Sequence, residues 1–337
     1  MLGVIMAGGR GTRLMPLTKN RPKPMIPVLD RPVIDYVKDA MVAAGLSEII
    51  VTTGYQGEQL IQHVSTWDIK SRVNQEQVPM GTAGSVGLLK DKLTETFVVG
   101  SGDSVASFDI ADLLKSHKES GAKVTMALWE VEDPTEFGIV GLSADHLGEI
   151  NSKLSQGFIT KFKEKPSAEE AFSNLINAGL YIIEPEVMNL IPPGEKYDFS
   201  KQLFPDVLAR GWPMYAKTIN GIWFDVGHPF ELHKAQMALI KNRHRLPFPM
   251  PEGEVLEDGS FIAKSAAVSG HIERSIILAE ASVSGAVVDS VVMAGAKVNG
   301  VAEMSIVGQG GVIDSKVHNC VIGDGVHVKS DLDDERV

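Results

Sequence analysis

Within the first twenty-five residues, Arg10, Arg13, Lys19, Arg21 and Lys23 gather around Gly8, Gly9 and Gly11. Guanidinium groups grip phosphate oxygens in pairs, a lysine adds a mobile point charge, and glycines let backbone N–H groups approach an anion closely. The set suits a polyphosphate. Taken alone, it also suits a glycine turn carrying solvated bases. Asp103 follows the apolar run Thr96–Val99 within Gly100-Ser101-Gly102-Asp103, where it could hold a divalent cation or cap the next helix. Asp225, in Gly221-Ile222-Trp223-Phe224-Asp225-Val226-Gly227-His228-Pro229, could be a second cation ligand or a turn residue. Lys163-Glu164-Lys165-Pro166 on its own reads as an exposed charged turn.

The elements around these residues place them. Leu2 to Ala7 is a short apolar run, predicted to be a buried strand that empties into the glycine turn. Two common phosphate loops do not fit: a dinucleotide fingerprint needs glycine where Leu14 stands, and an ATPase loop needs Gly-Lys-Ser/Thr where the chain has Gly11-Thr12-Arg13. Prolines at 16, 22, 24 and 27 forbid the long helix both motifs require, so an extended, proline-stiffened arm is expected. Beyond it, strands and helices alternate. Helices are predicted over 33–44, 58–64 and 110–120, and strands over 48–53, 96–99 and 123–131. Such alternation predicts an α/β domain with a mostly parallel sheet, whose ligands sit beyond the carboxyl ends of the strands. The glycine loop and Asp103 would meet there.

After Phe230 the texture changes. Glu231 to Asn242 has helical spacing, and Arg245 to Gly253, with three prolines, is a stiff linker. Apolar pairs six residues apart then recur as Ile262/Val268, Ile277/Val283, Val292/Val298, Ile306/Val312 and Ile322/Val328, starting 15, 15, 14 and 16 residues apart. Short β-branched runs at such a period predict strands stacked around one axis. Each coil buries its apolar corner only against neighbours. The last must therefore be capped or docked on another subunit, and a homo-oligomer is expected. Lys329 to Val337 is expected to fray.

Composition bounds the partners. A formal charge of −11 over 337 residues argues against a nucleic-acid surface and makes the basic cluster stand out, which favours a small phosphorylated ligand. No apolar run approaches the ~20 residues of a membrane span, and Leu2 to Ala7 is too short for a secretory signal, so no membrane partner is expected. The single cysteine, Cys320, permits no internal disulfide and fits a reducing compartment, read here as cytoplasmic.

Gly9-Arg10-Gly11-Thr12-Arg13-Leu14-Met15-Pro16-Leu17-Thr18 followed by Pro22-Lys23-Pro24-Met25 resembles the signature of the sugar-1-phosphate nucleotidylyltransferases. Further elements resemble that family in the same order: Glu76 to Ser85, ending in Gly-Thr-Ala-Gly-Ser; Gly102-Asp103; Gly138 within Glu136 to Val140; Phe162 to Pro166; Asn177 to Tyr181; and Trp223 to Gly227. Ile222 and His228 depart from the tyrosine and threonine found in relatives.

The resemblance implies a Rossmann-like catalytic domain over 1–243, a linker over 244–254 and a hexapeptide-repeat left-handed β-helix over 255–330. It implies a nucleoside triphosphate held by Ala7, Gly8, Gly9, Gly11, Thr12, Arg13, Glu76, Gly81 and Thr82, and a sugar-1-phosphate held by Gly138, Glu164, Lys165 and Asn177. Arg13, Lys23 and Lys165 would be catalytic, and Asp103 with Asp225 would hold Mg²⁺. Glycine at 81 and small residues at 83 to 85 would let a base lie against the backbone. A carboxylate at 76 accepts only, which matches the adjacent N1–H and N2–H₂ donors of guanine, though Gln75 or Gln77 could take that contact. GTP with mannose-1-phosphate is the expected pair, ahead of dTTP or UTP with glucose-1-phosphate. A non-catalytic, nucleotide-sugar-binding regulatory subunit is the alternative class, disfavoured because Arg13, Lys23, Asp103 and Asp225 are all present. His271, His318 and His327 are isolated, so an added acyltransferase activity is not expected of the repeat domain.

Overall fold

The computed structural model describes residues 1–54 and 57–337. They divide into two compact units: Met1–Gly8, Val37–Gly102 and Ala106–Trp223 form the first, and Gly9–Tyr36, Asp103–Val105 and Phe224–Val337 the second.

The first unit is built on a nine-stranded sheet: β1 (Leu2–Met6), β2 (Glu48–Thr53), β3 (Ser71–Gln75), β4 (Phe97–Ser101), β5 (Val124–Glu130), β6 (Gly138–Ser143), β7 (Gln156–Glu164), β8 (Leu175–Ile183) and β9 (Met214–Thr218). Their order is β3-β2-β1-β4-β8-β5-β9-β7-β6. β7 and β8 run against the other strands. Leu-Gly-Val-Ile-Met and Phe-Val-Val-Gly-Ser read as continuous apolar runs because central strands of such a sheet are covered on both faces. From β1 the chain builds outward through β2 and β3, then returns to the opposite flank of β1 with β4. That reversal makes the carboxyl ends of β1 and β4 a switch point, where open α/β sheets take ligands. The Gly102 N–H donates to the Met6 carbonyl at 2.9 Å, holding the two ends side by side.

Helices α1 (Ile34–Ala43), α2 (Gly57–Val64) and α4 (Ile110–Ser120) lie within about a residue of their predicted bounds, while α3 (Gly81–Gly87) and α5 (Phe204–Ala209) lack a sequence signal. The cap of α4 is Asp109, whose side chain accepts from the Asp112 N–H at 2.9 Å. Asp103 is therefore not needed as a helix cap.

In the second unit, α6 (Pro229–Asn242) precedes a parallel β-helix of three stacked sheets. One sheet runs Phe261–Ala263, Ile276–Ile277, Val291–Val292, Ile306–Val307, Val321–Ile322, and its register repeats every fifteen residues. Within one coil the inward positions are Ile277, Val283 and Val287, followed by Val292 on the next, so the six-residue step is one of three unequal steps. The register corrects one pair of the sequence reading: Val307 and Ile313, both fully buried, stack on Val292 and Val298, not Ile306 and Val312. Ile306 and Val307 are both β-branched, and only the strand register decides which points inward. Ser260, Ser275, Ser290 and Ser305 form a buried column in which each hydroxyl accepts from the backbone N–H fifteen residues on; Cys320 closes it.

Residues 329–337 do not fray. Leu332–Asp333 add to one sheet, the Val321 and Gly323 N–H groups donate to Glu335 and Val337, and Val337 donates back to Val321. The last coil is thus extended by pairing with the chain that follows it. No helix among the described residues is long and apolar enough to cross a membrane.

Candidate active site

In the second unit, the arm after Gly9 forms two short turns, Thr12–Leu14 and Lys23–Met25, joined by a chain that folds back on itself. Gly11 sits at φ 64°, and a Cβ there would stand 2.9 Å from Lys23 Cβ and Thr18 Cγ2. The Thr18 hydroxyl donates to the Gly11 carbonyl at 2.8 Å, so Gly11 is the pivot that closes the arm onto Lys23. The Lys23 ammonium, 9% exposed, donates to Asp103 Oδ2 at 2.6 Å and to Asp225 Oδ1 at 2.9 Å. Val226 N–H donates to the Asp103 carbonyl at 3.1 Å, which aligns the two aspartate segments. Arg13 Nη2 lies 4.0 Å from Asp225 Oδ2 with a largely exposed side chain.

One buried ammonium faces two carboxylates. Burial alone would lower the Lys23 pKa, but Asp103 and Asp225 outweigh it and hold the ammonium above its ordinary value. Asp225 is pushed up by burial first and by the Asp103 charge second, against the pull of Lys23 and Arg13. The lysine sees two anions, whereas each aspartate sees a cation and an anion. The two carboxylates offer the hard oxygen donors that a divalent cation takes. Among the described residues no group of three or more His, Cys, Asp or Glu could hold a metal, so two carboxylates are what the protein offers.

Ala7 and Gly8, at the end of β1, belong to the first unit. Ala7 is buried and donates to the Thr52 carbonyl at 2.8 Å, whereas Gly8 and Gly9 are exposed. Glu76 Oε2 accepts from the Ser85 hydroxyl at 2.6 Å and from the Met80 N–H at 3.3 Å. Its Oε1 lies 3.6 Å and 3.2 Å from where a Cβ would stand on Gly8 and Gly54. Gly81 opens α3 at φ 74°, with the Tyr197 carbonyl 2.7 Å from a Cβ placed there, so the close approach at this glycine is to the protein's own backbone. Thr82 is tied to the same segment: its N–H and hydroxyl reach Asp198 Oδ1 at 3.2 and 3.3 Å, and its hydroxyl accepts from the Phe199 N–H at 3.0 Å.

A second group of this unit gathers Gly138, Glu164, Lys165 and Asn177. A Cβ on Gly138 would stand 2.7 Å from Glu164 Oε2 and 2.6 Å from Phe162 Cζ. Glu164 is raised above the usual carboxylate range by burial, against the Ser200 hydroxyl, Lys165 and Lys201. The Lys165 ammonium reaches Glu136 at 3.2 Å and is half exposed. Asn177 Oδ1 accepts from the Gly179 N–H at 2.9 Å and its amide donates to the Tyr181 hydroxyl at 2.8 Å, across the bulge that separates it from Tyr181. Ser200 hydrogen-bonds Asn177 and Glu164, and the charges of Lys201 and Asp198 act on Glu164; all three escaped the sequence reading, since the Asp-Phe-Ser of 198–200 carries no periodic signal.

A family model described as Nucleotidyl transferase matches residues 2–242. The chain belongs to the nucleotidyl transferase family. Among curated proteins, members of this family similar to it include the mannose-1-phosphate guanylyltransferase catalytic subunit beta of Dictyostelium discoideum, 34% identical over 235 residues, or 68% of this chain and 62% of that one. Mannose-1-phosphate guanylyltransferase 1 of Arabidopsis thaliana is 28% identical over 277 residues, 80% of this chain and 73% of its own. The chain thus spans about three fifths of the length of the first relative. A solved structure titled as a glucose-1-phosphate thymidylyltransferase of Bacillus anthracis shares the fold, with a TM-score of 0.62 and 23% identity over 74% of this chain and 98% of that one.

Proposed function

We propose that the chain transfers a nucleotidyl group from a nucleoside triphosphate to a hexose-1-phosphate, with GTP and mannose-1-phosphate as the pair. The observation that carries this reading is the buried Lys23 ammonium held between Asp103 and Asp225 in the glycine-loop unit of a nucleotidyl transferase. The names of its curated relatives support the choice of substrates.

In the proposed reaction an anionic oxygen of the sugar phosphate attacks the α-phosphorus in line. A new P–O bond forms, the α–β bridging P–O bond breaks, and pyrophosphate leaves with the electron pair. The nucleophile is already an anion near neutral pH, so no general base is required; positioning and charge neutralisation are. Arg13 takes the β- and γ-phosphates, Lys23 the α-phosphate and the charge of the transition state, Lys165 the sugar phosphate, and Glu164 and Asn177 the sugar hydroxyls. Asp103 and Asp225 would hold Mg²⁺, which when bound supplies a Lewis acid that offsets charge on the triphosphate. Glu76 is assigned to the guanine edge because a carboxylate there only accepts.

A panel of five nucleoside triphosphates against several sugar-1-phosphates, read by pyrophosphate release, tests this. GTP with mannose-1-phosphate should give the highest kcat/KM. Highest turnover with dTTP or UTP and glucose-1-phosphate would replace the substrate assignment, and no release with any pair would favour a regulatory subunit.

A further inference from the structure

Three contacts within the second unit tie the phosphate arm to the far end of the β-helix. Arg336 Nη1 donates to the Arg13 carbonyl at 2.9 Å. Pro16 lies against Gly323, with its Cβ and Cγ 3.3 Å from where a glycine side chain would begin. Arg21, whose side chain is 11% exposed, pairs with Asp324 and donates to Gln309 Oε1 at 2.8 Å. Asp324 is itself fixed, because its Oδ1 accepts from the Gln309 N–H at 2.9 Å. Arg336 also places Nη2 3.3 Å from His228 Nε2, three residues after Asp225. A neutral imidazole has one acceptor nitrogen, so this contact competes with the longer, 3.4 Å approach of the Phe230 N–H to Nδ1.

The spacing of these contacts matters. Arg13 and Lys23 are the two cations assigned to the triphosphate, and the held points are Arg13 itself, Pro16 between them, and Arg21 two residues before Lys23. Leu14, Leu17 and Lys23 are buried and anchor the arm, while Thr12, Arg13 and Met15 are exposed. Here a rigid coil of a stacked β-helix supplies fixed partners at both ends of the arm.

We propose that Arg336 and the Arg21–Asp324 pair are positioning residues for the triphosphate, and that the last coil of the β-helix is thereby part of the catalytic scaffold. The proposal rests on the nucleotidyl-transfer reading. Neither side chain is given a contact with substrate; each acts by fixing where Arg13 and Lys23 stand. Displacement of a phosphate-gripping group by about 1 Å costs on the order of a hundredfold in rate.

The test uses the full chain with Arg336→Ala, Arg336→Lys, Arg21→Asp, Asp324→Arg and the double charge swap. Backbone hydrogen exchange over residues 9–25, measured without substrate, reads the clamp alone; pyrophosphate release from GTP and mannose-1-phosphate reads its consequence. Arg336→Ala and Arg21→Asp should speed exchange in 9–25 and lower kcat roughly ten- to a hundredfold. KM for the sugar phosphate should stay within about twofold, because the sugar residues belong to the other unit. Arg336→Lys should recover part of kcat, and the double swap should recover more than either single variant. Unchanged exchange in 9–25, or faster exchange with unchanged kcat, overturns the proposal. A wild-type chain that releases no pyrophosphate with any substrate pair, while Arg336→Ala still speeds exchange, overturns the function proposed above instead.

Discussion

The two candidate clusters solve different electrostatic problems. In the glycine-loop unit, Lys23, Asp103 and Asp225 are packed ion against ion, and the ammonium is 9% exposed. In the sheet unit, Glu164 is partly buried but is opposed by a neutral hydroxyl and by lysines, and Lys165 is half exposed. Removing one member of the first cluster strands an uncompensated charge, whereas removing one member of the second mostly changes a fit. The contrast matches the work proposed for each. A triphosphate brings several charges that need fixed counter-charges, while a sugar is selected by hydrogen bonds.

The sharpest way to break the comparison is Lys23→Met. It should reduce kcat/KM at least a hundredfold, about 3 kcal/mol of transition-state stabilisation or more, and also destabilise the chain by about 3 kcal/mol in urea unfolding. Loss of less than tenfold activity with unchanged stability would erase the distinction between the clusters. Next comes Lys165→Ala, expected to raise KM for the sugar-1-phosphate about tenfold or more and to leave KM for the nucleotide alone. Its melting temperature should hardly move, because an exposed ion pair such as that with Glu136 contributes ~0–1 kcal/mol. A smaller effect is expected of Glu76→Gln, whose amide presents a donor as well as an acceptor. The ratio of kcat/KM for GTP over UTP should fall by about tenfold, and a ratio that holds would move base selection to another residue.

The smallest effect concerns stability and pH. Glu164 is raised in the folded chain, so its contribution is fully present below the ordinary carboxylate value and is lost as pH rises through the folded value. Glu164→Gln should therefore gain in melting temperature relative to wild type between acid and neutral pH, while sugar binding weakens. A gain in the opposite direction would show that the carboxylate is stabilised as an anion in the folded chain.

Much of the site was legible because its chemistry is local in sequence. Gly11, Arg13 and Lys23 fall within one arm, and the prolines that exclude a long helix are visible as letters. The cap reading of Asp103 falls because Asp109 caps the next helix, and the Asp103 carboxylate pairs with Lys23 instead. β3 escaped because Ser-Arg-Val-Asn-Gln alternates too weakly to signal a strand; it is edge-placed and half-exposed, so burial did not shape its composition. Asp198, the partner of Thr82, and Ser200, the partner of Asn177 and Glu164, are long-range contacts without periodicity.

By itself, then, the sequence determined the glycine arm, the charge it carries, the alternation that makes an α/β sheet and the fifteen-residue rhythm of the β-helix, because each is written in residues near one another along the chain. Only the tertiary structure decided that Lys23 lies between Asp103 and Asp225, that Val307 rather than Ile306 faces the helix interior, and that residues 329–337 pair with the β-helix backbone instead of fraying. Those outcomes depend on register and on contacts between segments far apart in the chain, and local patterning carries no term for either.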